Sequence, residues 1–521
     1  MEHNYKVKLR WLIFVATVVR CIFAMLIELG TDETYYYSYA LQLDWNHFDH
    51  PPLVGLLIRF FTLNLNWVND FSMRLGPILL AAVNTWLIAK IASSLMNARA
   101  GLIAAILFTT SIFASIISGI LILPDSVANT FWLAALYFML QIVKDPTSAS
   151  RNYFLLLGLS IGLACLGKVH AVFLWIGFLA YIVFHQRRLL RRKELYLGMA
   201  ISLICVLPIL YWNYQHDFIT WKFHSERVSI LESGLRLDLF FQTFFGQIFY
   251  NNPLLVYLYA VMLIQLYKHR GQITSLSRHV VLLLLYCGLP IILITSGLSL
   301  FRQTLPHWSG PGFFSLMLLT ALWMEKRLEL NSIPRCRKIL NTLLSFILGI
   351  MILAVLLIRY YPGNLTGRSE GMKLGREDVT LDMWGWKDFQ VQFASIRQQA
   401  IERGEMSSEA PIVVNNWFPG GHLLYYVARP LGMGLLAEGN LQDIHKFAWL
   451  NGMQNPVEVG GDAYFIAPSN VYEDPEVLYG DFFREIRLSK VLDQKRGSQV
   501  VRRWYVYELK GATKVVRKGW F

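Results

Sequence analysis

The stretch "ELGTDETYYYSYALQLDWNHFDHPPLVGLLIRFF", residues 28–61, places five carboxylates, two histidines and a Pro-Pro pair between two strongly apolar runs. Carboxylates at the end of an apolar helix can simply mark where the chain leaves a membrane. Here Asp32 and Glu33 are followed within twenty residues by Asp44, His47, Asp49 and His50, and then by Pro51 and Pro52. Proline cannot continue a helix, so the pair fixes a turn. Acid, imidazole and a rigid turn beside an apolar run point to a preorganised polar site at a membrane surface.

Working outward, the chain has 521 residues, of which 55% are hydrophobic and only 16% charged. That balance is too apolar for a soluble protein of this length. A spanning helix needs about 20 mostly apolar residues, and runs of that kind recur near 11–29, 75–95, 101–122, 127–143, 153–167, 169–185, 195–212, 240–266, 279–297, 309–324 and 339–358. The expectation is a polytopic α-helical membrane protein of about eleven spans, with about thirteen as the upper count. The first run follows Lys6, Lys8 and Arg10 as a signal peptide would, but it is long and lacks a small-residue cleavage pattern. It reads as a retained helix.

The net charge of +13 does not imply nucleic acid, because the basic residues gather in short loops instead of a groove with interleaved aromatics. Arg187, Arg188, Arg191, Arg192 and Lys193, and then Lys326, Arg327, Arg335, Arg337 and Lys338, fall on one side if the N-terminus is cytoplasmic, which is the positive-inside pattern. The opposite face then carries the loop 30–74 and everything beyond Tyr360. The five cysteines suggest no disulfide framework.

Residues 360–521 change character. In "WKDFQVQFASIRQQAIERG" the residues Phe389, Phe393, Ile396 and Ala400 share one helical face, the mark of an amphipathic helix. "APIVVNNWFPGGHLLYYV" reads as strand, turn and helix, and "GDAYFIA" and "RRWYVYEL" read as strands. The expected organisation is a transmembrane domain over 1–359 and a C-terminal α/β or α+β extracytoplasmic domain over 360–521.

Further candidates lie on the outer face. Asp125 is the only acid between the third and fourth predicted spans, and its Pro-Asp-Ser context also suits a helix N-cap. Lys168 interrupts two apolar runs; it can snorkel to the surface or meet a permanent anion such as a lipid phosphate. Arg59, Arg74, Lys222, Arg227 and Arg302 are additional cations there, and His224, Glu226 and His307 are additional polar groups. Histidine and carboxylate together suit a divalent metal, although the spacing matches no standard pattern. Tyr35, Tyr36, Tyr37 and Tyr39 read first as an interfacial aromatic belt and second as the lining of a sugar or lipid pocket. No P-loop, Rossmann fingerprint, HExxH or GxSxG occurs.

"DETYYYSYALQLDWNHFDHPPLVGLLIRF", "ILPDSVANTF", "LGKVHAVFL", "WNYQHDF" and "LPHWSGPGF", in this order and separation, resemble the bacterial family 39-like glycosyltransferases of the GT-C superfamily, relatives of protein mannosyltransferases and of lipid A aminoarabinose and galacturonic acid transferases. The likeness covers about residues 10–325. It implies an enzyme of the bacterial inner membrane that moves one sugar from a polyprenyl-phosphate donor to a lipid A, lipopolysaccharide, other glycolipid or protein acceptor on the periplasmic face. By the same resemblance Asp32 is the essential acid or base, with Glu33 and Asp125 completing the catalytic set. Lys168 matches a family lysine near the donor phosphate, His50 stands where several relatives have lysine, and the outer-face cations Arg74 and Arg227 are further candidates for phosphate contact. Asp49 and His224 correspond to ligands of a divalent metal. The runner-up is a lipid-linked substrate flippase, which predicts ionisable residues in mid-span and paired repeats.

Overall fold

The computed structural model describes residues 2–230, 234–268, 278–330, 333–363 and 371–516. The chain divides into two compact units. The first comprises Met1–Ile22, Trp45–Thr62 and Phe71–Ile350; the second comprises Phe23–Asp44, Leu63–Asp70 and Met351–Phe521. The first part of the loop expected at 30–74 thus belongs to the same unit as the C-terminal segment.

The first unit is helical throughout. Among the described residues, six helices are long and apolar enough to cross a membrane: Glu2–Leu26, Asp70–Leu95, Pro124–Lys144, Lys193–Gln215, Arg278–Leu298 and Pro334–Tyr360. A seventh is added if Leu237–Tyr250 and Pro253–Lys268, bent by 96° at their junction, form one broken crossing. Three shorter apolar helices, Ala98–Thr110, Arg151–Gly167 and Val169–His185, account for further predicted runs. The run expected at 101–122 stops being regular helix after Thr110 and continues as a wider π turn, Phe113–Ile117.

Helices in an apolar medium gain little from burying apolar surface, so they associate through small residues that let backbones approach. Arg151–Gly167 packs on Lys193–Gln215 in this way. A Cβ added at Gly158 would stand 2.1 Å from the carbonyl oxygen of Gly198. Beside this crossing, Ser202 Oγ donates to the Gly158 carbonyl at 2.6 Å and accepts from Trp175 Nε1 at 3.0 Å. At one end of the bundle the buried Glu325 carboxylate receives Arg99 Nε at 2.6 Å and Asn97 Nδ2 at 2.8 Å.

The second unit is built on a five-stranded mixed sheet of order β2-β1-β3-β5-β4, with β1 Ile412–Val414, β2 Leu435–Ala437, β3 Ala463–Pro468, β4 Phe483–Arg496 and β5 Gln499–Ala512. β1 runs parallel to β2 and β3, whereas β5 is antiparallel to β3 and β4. Alternation along β5 sends Tyr505, Tyr507 and Leu509 into one core with Val413 and Phe465. Trp504 points the other way and stacks on Phe389 of the helix Trp386–Glu402, 4.0 Å between centroids at 17°. Phe389, Phe393 and Ala400 are buried on that helix, and Ile396 is partly buried, as its sequence pattern requires.

The tyrosines of the helix Thr31–Leu41 correct an expectation. Tyr35, Tyr36, Tyr37 and Tyr39 are 0–4% exposed, so they are not an interfacial belt. Tyr35 packs on Trp417 and Tyr37 on Tyr425, both from the C-terminal segment of the same unit. Their hydrophobic bulk is used in a core.

Because the Gly158–Gly198 crossing leaves no room for a methyl group, Gly158→Ala should lower stability by about 1–3 kcal/mol. Thermal unfolding of the purified protein in detergent checks this; an unchanged melting temperature contradicts the close packing.

Candidate active site

Two clusters of polar groups emerge, one in each unit. The first surrounds the N-terminus of the helix Thr31–Leu41, the helix that carries Asp32 and Glu33. The early N–H groups of a helix have no partner within it. Here the chain entering the helix has every backbone N–H from 28 to 31 engaged. Glu28 donates to the Met383 carbonyl at 3.3 Å and Leu29 to the Tyr426 hydroxyl at 2.6 Å. Gly30 donates to Glu33 Oε2 at 2.8 Å, and Thr31 to both Asp382 carboxylate oxygens at 3.0 and 3.2 Å. Thr31 Oγ1 also donates to Asp382.

This arrangement separates the two adjacent acids. Glu33 is 2% exposed and closes a capping box with its own helix start. Asp32, one position earlier, is exposed. Glu33 therefore shapes the turn, and Asp32 is the carboxylate presented outward.

The groups that hold the turn are themselves held. Arg502, fully buried on β5, donates to the carbonyls of Leu381 at 3.0 Å and Trp384 at 2.6 Å, and so clamps both sides of Asp382. His422 donates through Nε2 to the Leu29 carbonyl at 3.1 Å and stacks on Trp386 at 4.1 Å. Burial pushes His422 down to about 3, so the imidazole is neutral. Asp382 keeps 31% of its side-chain surface. Desolvation first, and the Glu33 carboxylate second, nevertheless raise it from 3.8 to about 6, against the Thr31 hydrogen bonds. Glu28 completes the exchange: its carboxylate accepts from the backbone N–H groups of Trp386 at 2.8 Å and Lys387 at 3.2 Å, the start of the helix Trp386–Glu402.

The second cluster lies in the first unit. Pro124 opens the helix Pro124–Lys144, with Leu123 as the capping residue and Asp125 in the first turn. Asp125 is therefore not the N-cap that its context suggested. Its carboxylate accepts from Lys168 Nζ at 3.0 and 2.8 Å, and the two residues are 1% and 7% exposed. Lys168 caps the C-terminal end of Arg151–Gly167 and does not snorkel to a surface. His307 and His170 act electrostatically on Asp125. His50 feels Asp49, Lys168, His224 and Asp125. Desolvation pushes His224 down and His307 down to about 4. His50, with 24% of its side chain exposed, is also pushed down, burial outweighing Asp49. These three imidazoles are thus neutral near pH 7, and Lys168 is the ammonium among them.

Asp49 and His224, the residues expected at a divalent metal, are linked to each other through the protein. His224 Nε2 donates to the backbone carbonyl of Asp49 at 2.8 Å, so that nitrogen carries a proton and cannot be a ligand. The Asp49 carboxylate lies 3.9 Å from His50 Nε2. Among the described residues no group of three His, Cys, Asp or Glu side chains could hold a metal ion. Of the remaining cations, Arg74 is fully buried, and Arg227 is exposed beside the rings of Phe223 and Trp308.

Sequence reasoning missed Asp382, His422, Tyr426 and Arg502, the residues that fix the helix bearing Asp32. One signal was available in "WFPGGHLLYYV". A Cβ at Gly421 would stand 3.0 Å from the Tyr35 amide nitrogen, so a glycine is needed where this segment meets the first-loop helix.

Removing one partner of a buried ion pair leaves an uncompensated charge at a cost of about 3–5 kcal/mol, while replacing both can be near neutral. Asp125→Asn should therefore destabilise the protein more than the double variant Asp125→Asn with Lys168→Met, as read by melting temperature. For Asp382, a pKa raised on folding contributes stability that is present in full below about pH 4 and is lost as pH rises through about 6. The stability difference between wild type and Asp382→Asn should thus fall across that window; a difference that is flat with pH contradicts the assignment.

Comparison with known proteins gives a consistent fold. Residues 49–212 match the family described as dolichyl-phosphate-mannose-protein mannosyltransferase. The lipid A galacturonosyltransferase RgtD of Rhizobium johnstonii is 22% identical over 300 residues, 57% of this chain and 60% of the relative, so the match spans less than two thirds of that protein. The structure of ArnT from Cupriavidus metallidurans bound to undecaprenyl phosphate aligns with a TM-score of 0.60 and 15% identity over 95% of this chain and 97% of that one. The apo form of the same protein aligns with a TM-score of 0.60 and 14% identity over 96% and 98%. The likeness is one of fold, and it covers both the helical bundle and the small C-terminal sheet.

Proposed function

We propose that this chain is a multi-pass membrane glycosyltransferase that transfers one sugar from a polyprenyl-phosphate donor to a glycolipid acceptor, of the lipid A or lipopolysaccharide type, on the periplasmic face of a bacterial inner membrane. The observation that carries this reading is the buried Asp125–Lys168 pair with its neutral histidines. It lies in the unit that contains most of the stretch matched by the mannosyltransferase family. The undecaprenyl phosphate on the solved relative supports the donor class, and the lipid A relative supports the acceptor class. The positive-inside pattern supports a cytoplasmic N-terminus and a periplasmic site.

Displacing a polyprenyl phosphate from a sugar C1 requires a base for the acceptor hydroxyl and positive charge for the departing phosphate. Asp32, exposed at a rigidly held helix start, is the base. Direct attack on C1 inverts its configuration. An ammonium has three N–H donors. Lys168 directs its bonds to Asp125 Oδ1 and Oδ2, which fixes its position and leaves a donor for the phosphate. Asp125 is thus the anchor of the cation and Glu33 the anchor of the turn. His50 and Arg227 are secondary phosphate contacts in this reading. The mechanism routes no step through a metal.

Asp32→Asn should reduce sugar transfer in a purified assay by about 10²–10⁴-fold, the usual range for a lost general base, with folding unchanged; full transfer overturns the proposal. Lys168→Ala should weaken use of the donor, read as a lower kcat/KM for the polyprenyl-phosphate sugar, and unaltered donor kinetics would remove the phosphate role. Mass spectrometry of surface glycolipids from cells with and without the protein identifies the transferred group, whereas a flippase would relocate a lipid without adding mass.

A further inference from the structure

The sheet of the second unit contains a feature that the transfer reading does not use. β1, β2 and β3 are parallel, and the chain leaves the ends of β1 and β3 in opposite directions. From β1 it passes to β2 at the sheet edge; from β3 it passes to β4 and β5 on the other side. In α/β sheets the divergence of two such connections opens a crevice beyond the carboxyl ends of the strands, where ligands bind. A cavity of about 280 Å³ lies there, beyond Val414 of β1 and Pro468 of β3. Pockets for drug-sized ligands are about 300–1,000 Å³, so this one has room for a single ring.

Its lining has the chemistry of a polyhydroxylated ring. Trp417 and Phe418 supply flat apolar surface, and Asn415, Asn416 and Glu473 supply amides and a carboxylate. The Trp417 plane is set by His445, which lies parallel to it at 5.5 Å and 10°, so the indole is ordered without a ligand. Asn415 Nδ2 donates to Glu473 Oε2, and Asn416 Oδ1 accepts from the Phe418 amide at 3.3 Å. The Asn415 carbonyl, the Asn416 amide nitrogen and the second Glu473 oxygen have no protein partner among the described residues. They offer one donor and two acceptors around an aromatic platform. Hydroxyls both donate and accept, and the C–H face of a pyranose is apolar, so a sugar satisfies both halves of the lining. A fatty acyl chain would leave the amides and carboxylate unmatched, and a phosphate would face Glu473 without a cation in the lining.

We infer that the crevice at the carboxyl ends of β1 and β3 is a saccharide-binding site, separate from Asp32 and Lys168, that holds one sugar ring against Trp417 with its hydroxyls on Asn415, Asn416 and Glu473. The ring is either a free saccharide or the sugar headgroup of a glycolipid.

Saturation-transfer NMR on the purified full chain in lipid nanodiscs tests this, with methyl glycosides of a neutral hexose and of an amino hexose as probes. Saturation should reach the ring protons of at least one glycoside in the wild type and equally in Asp32→Asn, and should weaken about tenfold in apparent affinity in Trp417→Ala, as expected for the loss of an aromatic platform. Glu473→Gln, nearly isosteric, should weaken it without lowering the melting temperature. Displacement of the glycoside by the same sugar on a lipid anchor in the nanodisc identifies a headgroup as the ligand, and retention identifies a free saccharide; both keep the site. No saturation transfer from either glycoside, or transfer that Trp417→Ala leaves unchanged, overturns it. Transfer lost in Asp32→Asn but not in Trp417→Ala also overturns it, while leaving the catalytic proposal standing.

Discussion

The second unit depends on how four consecutive backbone N–H groups, at residues 28–31, are satisfied. A helix start buried without partners for its amides is costly, and this one finds them in Met383, Tyr426, Glu33 and Asp382. Three of these four partners come from more than 350 residues further along the chain. In return Glu28 caps the helix Trp386–Glu402. Each segment supplies the acid that the other's helix start lacks, so neither end is complete alone. The buried guanidinium of Arg502 extends the arrangement from the sheet to the turn at 381–384.

This constraint gives two adjacent acids different roles. Glu33 is turned inward to close the capping box, and Asp32 faces out. A helix start that does not reorganise holds both acids in fixed positions. The immobility comes from the neutral His422 against Trp386 and the hydrogen bonds of Asp382.

In the first unit the analogous constraint is a charge pair. Asp125 and Lys168 come from the start of one helix and the end of another, and their burial means that each requires the other. Neutral imidazoles from three further segments surround the pair without adding charge. Lys168 is the cation held within this cluster by Asp125.

Much of this was legible in the sequence. Local apolar runs reveal helices because burial in an apolar medium demands a long uninterrupted pattern, and the amphipathic face of 386–402 and the strand at 463–468 followed from periodicity alone. The polar groups of residues 28–61, Asp125 and Lys168 also stood out by residue type, because charge beside apolar sequence needs a reason. Three matters depended on the tertiary structure. The tyrosines of 35–39 became core because Trp417 and Tyr425 fold onto them, Lys168 met Asp125 instead of a surface, and Asp32 and Glu33 parted in role. Each was decided by a partner from another element, 43 residues away for Lys168 and hundreds for the tyrosines, or by the direction of a side chain on one turn of helix. A linear pattern records which groups a chain carries and their local period, but not which distant backbone amide or carboxylate will satisfy them.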